Sequence, residues 1–174
     1  MSATESASDD AALVQAASGG DPIAFGRLFE RYAKTVHGVL LSRLIKADAD
    51  DLTQEVFLLA FRKISSLTEP SAFGGWLCAI ARNRATDFLR KDRQHVELTR
   101  DIPSADPRRA EAEEVLMVIR DLPEAYRESL VLRLVEGMTG PEIAERTGLS
   151  QGSVRVNLHR GMRLLRERLG SDDE

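Results

Sequence analysis

Residues 139–169 read TGPEIAERTGLSQGSVRVNLHRGMRLLRERL, and how this stretch divides decides the fold. Thr139 stands three residues before Glu142, the spacing of a capping box, and Pro141 falls in the first turn, where a missing amide costs nothing. A short helix therefore begins here, with Ile143 and Ala144 facing inward. Gly148 permits a sharp turn with Leu149 beneath it, and Ser150 can cap a second helix carrying Val154 and Leu158 one turn apart. That is the grammar of a helix-turn-helix. The outward positions of the second helix are Gln151, Gly152, Arg155, Val156, Asn157, His159 and Arg160, donors and small groups suited to base edges and phosphates in a major groove. The competing reading is that Arg155, Arg160, Arg163, Arg166 and Arg168 are the solvated face of an ordinary bundle helix.

The rest of the chain has to supply a fold around that stretch. Its 174 residues allow one domain or two small ones, and 43% hydrophobic residues can bury a core. Only 5% are aromatic, and apolar residues recur at three- and four-residue spacing rather than alternating, which predicts an all-α class. No apolar run approaches the roughly 20 residues of a membrane span. The polar, acidic start of the sequence lacks the pattern of a signal peptide, so a cytoplasmic location without membrane insertion is expected. The single cysteine, Cys78, lies in an apolar helical stretch and reads as core; His37, His95 and His159 have no ligand spacing, so no metal, cofactor or catalytic residue is expected. The net charge of -4 hides two locally basic stretches, residues 82–93 and 155–168, set against Glu111, Glu113, Glu114 and an acidic end.

Working from the start, residues 9–17 predict a short helix closed by Gly19 and Gly20, and Asp21 with Pro22 opens a second that keeps its period from Phe25 to about Leu44. A third helix is expected from near Asp48 to about Leu67, packed through Leu52, Val56, Leu59 and Ala60 on one face and Phe57, Phe61 and Ile64 on an adjoining one. The stripe left over is Asp51, Gln54, Glu55, Leu58 and Arg62, either a solvated face or a docking surface. A loop over residues 65–71 precedes a fourth helix, buried through Phe73, Leu77, Ile80, Ala81 and Phe88 and leaving Ala79, Arg82, Asn83, Thr86, Arg90 and Arg93 outside, with Asp87 and Lys91 spaced as an ion pair. Such a face can pair phosphates and hydrogen-bond an exposed base. Trp76 fits either the core or a stack on an unpaired base. Residues 94–107 have no period and read as a flexible interdomain linker. A helix over residues 108–121 follows, and then one from Pro123 that Tyr126, Leu130, Leu134 and Val135 bury and Gly137 ends.

Taken in order, these motifs resemble the small bacterial sigma factors of the extracytoplasmic-function group in the sigma-70 family. Asp50-Asp51-Leu52-Thr53-Gln54-Glu55-Val56-Phe57 is similar to region 2.2 of that family. Ala72-Phe73, Trp76-Leu77 and Ile80-Ala81-Arg82-Asn83 are similar to regions 2.3 and 2.4, and Leu122-Pro123 with Tyr126-Arg127 to the start of region 4. Gly152-Ser153-Val154-Arg155 with Leu158, Arg160 and Gly161 resembles the region 4.2 recognition helix, with Asn157 where the family often has a cation.

The resemblance implies a region 2 domain over residues 1–93, a linker over 94–107, a region 4 domain over 108–170 and an acidic tail over 171–174. It implies core RNA polymerase and promoter DNA as partners, with Asp51, Gln54, Glu55 and Leu58 docking on the clamp helices of the β′ subunit, a further contact with the β subunit, and an anti-sigma factor as regulator. Ser65, Ser66, Leu67, Phe73 and Asn83 would capture a flipped base of the -10 element, with Arg82, Arg84, Thr86 and Arg90 along the nearby strand. Gln151, Ser153, Arg155, Val156, His159, Arg160 and Arg163 would read the -35 element. Two alternatives share the helix-turn-helix: a regulator that binds duplex DNA without polymerase, and a sigma-like adaptor that binds an anti-sigma factor.

Overall fold

Helix boundaries in this chain are set by a few caps. The structure, a computed structural model, describes residues 3–94 and 107–170. Among them are eight α-helices: α1 (Ala3–Ser18), α2 (Pro22–Leu41), α3 (Lys46–Lys63), α4 (Phe73–Gln94), α5 (Pro107–Arg120), α6 (Glu124–Leu134), α7 (Gly140–Thr147) and α8 (Gln151–Gly170). Asp21 accepts the Ile23 and Ala24 amides at 2.9 and 3.3 Å and so opens α2. Between α3 and α4 the expected loop is two single 3-10 turns, Ile64–Ser66 and Pro70–Ala72, and Glu69 accepts from the Ser71 amide at 3.3 Å. The expected linker lies largely at residues 95–106, outside the described residues, as do the acidic tail and the side chain of Arg93.

Four boundaries, on three helices, differ from the sequence reading. Helix α1 starts at Ala3 rather than near Asp9, α2 stops at Leu41 where Ser42 turns, and α3 begins at Lys46 and ends at Lys63. The inner face of α6 is also rotated from expectation. Leu134 and Val135 are 45% and 48% exposed, and the buried run is Glu128, Ser129, Leu130, Val131 and Leu132. Helix α6 is gripped from two sides, by α8 and by α2, so its buried arc is wider than one stripe and takes in a carboxylate.

Leu28, Val36 and Leu40 of α2, Leu52, Val56 and Ala60 of α3, and Leu77 and Ala81 of α4 form the core of the first half. Helix α1 is latched onto it where the Tyr32 hydroxyl donates to buried Asp10 at 2.6 Å and Arg31 pairs with both Asp9 and Asp10. In the second half, Leu116, Ile119, Leu130 and Leu165 pack α5, α6 and α8, while Leu132, Ile143, Ala144 and Val154 fill the angle of the helix-turn-helix. The two domains pack on each other: the main cluster takes in residues of α1 to α6 and of α8, with α6 seated on α2 and α7 on the start of α4.

Candidate polymerase and nucleic-acid interfaces

The helix-turn-helix is built as its sequence dictates. Thr139 accepts from the Glu142 amide at 3.4 Å while the Glu142 carboxylate accepts the Thr139 amide at 2.7 Å, closing both arms of the capping box. That hydrogen bond holds the Glu142 carboxyl below its ordinary range, so the cap stays ionised at neutral pH. Gly148 takes φ +76°, a left-handed conformation that a side chain would strain, and α7 ends there. Ser150 then accepts the Ser153 amide at 3.1 Å and starts α8. Val154, Gly161 and Leu165 face inward, and Gln151, Ser153, Arg155, Val156, His159, Arg160 and Arg163 are all exposed. All seven residues expected on the -35 surface therefore share one solvent face.

The stripe on α3 is equally clear. Leu52, Val56, Phe57 and Ala60 are buried, and Asp51, Gln54, Glu55, Leu58 and Arg62 are all exposed. Leu58 is 60% exposed, a large apolar side chain placed among acids and an amide on an otherwise ordinary helix. Glu55 is ion-paired with Arg84 across a groove between α3 and α4 that Asp51, Asp87 and Lys91 also line. Residues expected to meet two different partners, Glu55 and Arg84, are thus brought together.

The α4 face divides. Asn83, Thr86 and Arg90 are exposed; the Thr86 hydroxyl donates to the Arg82 carbonyl at 3.0 Å, and Arg90 pairs with Asp87 at 2.8 Å. Ser65 and Ser66 are exposed and Leu67 is half-buried, at the turn leading toward that face. Phe73 is elsewhere. It is 1% exposed, edge-on to Tyr32 at 5.2 Å and beside Trp76 at 5.8 Å, because the first turn of α4 has to seal the core under α2. No base reaches it in this arrangement, while Trp76 is half-buried against it.

Arg82 also departs from expectation. Its Nε and Nη2 donate to the two oxygens of Glu128 on α6 at 2.8 and 2.9 Å, a two-pronged pair. Arg43, just beyond α2, reaches the same carboxylate at 3.3 Å and pairs with Glu124 as well, which holds the Glu124 carboxyl below its ordinary range. Further along, His37 bridges Glu136 at 2.7 Å and Asp50 at 2.9 Å, and the Glu136 carboxylate raises its pKa against the opposing pull of burial. Sequence reasoning missed Glu128, Glu136, Arg43 and His37. No local signal pointed to them, because Glu128 falls off the Tyr126, Leu130 and Leu134 face that periodicity picks out.

Residues 28–95 match the sigma-70 region 2 family model and residues 112–165 the sigma-70 region 4 model. An ECF RNA polymerase sigma-E factor of Haemophilus influenzae is 31% identical over 92% of this chain and 95% of that protein. The ECF sigma factor BldN of Streptomyces coelicolor is 32% identical over 92% of this chain but only 66% of its own length. Among solved structures, CnrH in complex with the cytosolic domain of CnrY superposes with a TM-score of 0.67 at 27% identity, covering 95% of this chain and 99% of that one. The chain belongs to the extracytoplasmic-function group of sigma-70 family RNA polymerase sigma factors.

Proposed function

We propose that the chain binds core RNA polymerase through the α3 stripe, brings it to promoters with -10 and -35 elements, and assists opening of the DNA. The observation that carries this is the presence, in one chain of this family, of an acid-amide-leucine stripe on α3 and an arginine-rich recognition helix on a separate face. A regulator acting alone would need only the second. Asp51, Gln54, Glu55 and Leu58 dock on the β′ clamp helices, and the second half meets the β subunit. Residues 1–93 act as the -10 and polymerase-binding domain and residues 108–170 as the -35 domain, with residues 94–107 between them and the acidic tail beyond.

At the -10 element, Ser65, Ser66, Leu67 and Asn83 hold a flipped base, with Phe73 supporting them from the core, and Arg82, Arg84, Thr86 and Arg90 follow the strand. Extruding a base costs about a few kcal/mol, offset by stacking and pocket contacts worth about 1–3 kcal/mol per base. At the -35 element Arg155, Val156, His159 and Arg160 read bases, and Gln151, Ser153 and Arg163 position the helix. The chain needs no chemistry of its own for this work, which is binding throughout. It acts in the cytoplasm; no helix among the described residues is long and apolar enough to cross a membrane. An anti-sigma factor is the expected regulator, and the CnrH likeness, seen with a bound partner domain, supports that.

Run-off transcription of genomic DNA by bacterial core polymerase, with and without the protein, is the test. Discrete new transcripts that start a fixed distance below shared upstream sequences are expected. Duplex binding without any new transcript would overturn the reading in favour of a polymerase-independent regulator.

A further inference from the structure

The two turns between α3 and α4 hold the residues assigned above to the flipped -10 base, yet their own side-chain hydrogen bonds are local. Ser66 donates to the Lys63 carbonyl at 2.6 Å and Ser71 to the Glu69 carboxylate at 2.8 Å. Such bonds fix the shape of a loop but not its place on the molecule. Its place is set at its ends, by buried Ile64 and Phe73, and from behind, where α1 lies against both turns.

Three buried side chains meet at the second of these ends. Tyr32 of α2 stands edge-on to Phe73 at 5.2 Å and donates its hydroxyl to Asp10 of α1 at 2.6 Å. Asp10 is itself only 5% exposed, with the tyrosine on one carboxylate oxygen and Arg31 on the other. Burial, with the Asp10 carboxylate adding to it, pushes the Tyr32 hydroxyl up, so it remains a donor throughout the neutral range. A carboxylate is costly to bury, and well-packed apolar residues would seal α1 to α2 about as well. What the polar pair adds is a single orientation. Arg146 of α7 covers the Tyr32 ring at 5.0 Å, but the hydroxyl bond and the contact with Phe73 lie wholly within the first half.

We propose that Asp10 and Tyr32 are positioning residues for -10 recognition: their hydrogen bond fixes the ring that orients Phe73, and through Phe73 and α1 it holds residues 64–72 in register with Asn83. This rests on the reading of Ser65, Ser66, Leu67 and Asn83 as the -10 base pocket. Neither Asp10 nor Tyr32 touches DNA, since both are buried. Their effect is on which base is accepted. A pocket discriminates between bases only when its groups are held to within about half an ångström, whereas a loop free to shift adapts to all four. Helix α1 lies outside the residues 28–95 that match the region 2 model, so its part in base choice is not conveyed by that match.

The single tryptophan supplies a local probe, because Trp76 is half-buried 5.8 Å from Phe73. Four full-length variants are compared with wild type. Tyr32→Phe removes one hydroxyl and keeps the ring, Asp10→Ala removes the acceptor, Asp10→Asn keeps an oxygen that can accept the hydroxyl, and Val39→Ala loosens the same core two turns further along α2. Each is bound to core polymerase and titrated with four single-stranded oligonucleotides that carry the -10 element found by run-off transcription and differ only at the flipped base. Melting temperature, Trp76 emission and -35 duplex affinity are recorded alongside.

Wild type should prefer one base. Tyr32→Phe and Asp10→Ala should narrow that preference by about two- to tenfold, with a shift in Trp76 emission and unchanged -35 affinity, and Asp10→Asn should recover most of it. Val39→Ala should melt at a lower temperature and keep the full preference. Full preference in folded Tyr32→Phe and Asp10→Ala, or an equal loss in Val39→Ala, would overturn the positioning role and leave -10 reading intact. A wild-type complex that takes all four bases equally would overturn the base pocket and this proposal with it, while the polymerase function, tested by transcription, stands apart.

Discussion

Helices α4 and α8 each set arginines along a solvent side, yet the two faces are in different states. On α4, Arg82 is held by Glu128, Arg84 by Glu55 and Arg90 by Asp87. On α8, Arg155 and Arg160 are exposed without an ion pair among the described residues, and Arg163 has only a loose contact with Glu167 at 3.6 Å. The difference comes from what each helix packs beside. For Arg82 and Arg84 the partners are carboxylates of α6 and α3, while Arg90 is held by Asp87 of α4 itself; the exposed arginines of α8 have no such neighbour among the described residues. A basic stripe is therefore not by itself an open nucleic-acid surface; its neighbours decide whether it is already spoken for.

The largest expected effect comes from removing the seat of the open helix. Leu130 is fully buried, and α8 crosses it so closely that a Cβ on Gly161 would lie 3.0 Å from its Cδ1. Leu130→Ala should cost about 2–5 kcal/mol by leaving a cavity under α8. Thermal melting should fall accordingly, and -35 duplex binding should be lost above the new midpoint. A melting temperature within a degree of wild type would mean that α8 is held by something other than this packing.

A smaller effect sharpens the contrast between the two faces. Arg155→Ala should weaken promoter use by about 1–3 kcal/mol, and only according to the base at one -35 position. Arg90→Ala should weaken -10 binding across sequences and reduce its salt slope by about one. Transcription from a panel of promoters with single -35 changes separates them. Equal losses on every promoter would take base reading away from Arg155.

How legible all this was depends on the range of the interactions. The helix-turn-helix could be read nearly residue by residue because its determinants are local: Thr139 with Glu142, Gly148 at its left-handed turn, Ser150 as a cap. The α3 stripe was legible for the same reason, since burial of Leu52 and Val56 leaves Asp51, Gln54 and Leu58 outside by helical geometry alone. Leu134 and Val135 were misplaced because α6 is held by α2 as well as α8, a contact between residues about a hundred positions apart. Periodicity has no access to that. Phe73 was assigned to DNA through family likeness, although the core under α2 claims it. The Arg82–Glu128 pair was illegible: the two residues are 46 positions apart, and each alone reads as a surface charge.

The smallest effect concerns the His37 bridge between the two domains and its dependence on pH. His37 is held by Glu136 from α6 and Asp50 from α3, and Lys46 holds the other oxygen of Asp50. The Glu136 hydrogen bond raises the imidazole pKa, so its contribution is full below the ordinary histidine value of about 6.5 and is lost as pH rises through the raised value. The packing of the two domains should therefore loosen from neutral toward mildly alkaline solution, and alkylation of Cys78, buried at 3.8 Å from the Arg146 carbonyl of α7, should accelerate over that window once corrected for thiolate formation against an unstructured cysteine peptide. His37→Gln keeps a hydrogen-bonding side chain but no titrating charge, and should flatten the profile while leaving the other histidines in place. The partly exposed ring is screened by solvent, which keeps the change small. A corrected profile with the same slope in both proteins would place the pH dependence outside the His37 bridge and leave the contact between the domains resting on the Arg82–Glu128 pair and the apolar packing of α6 on α2.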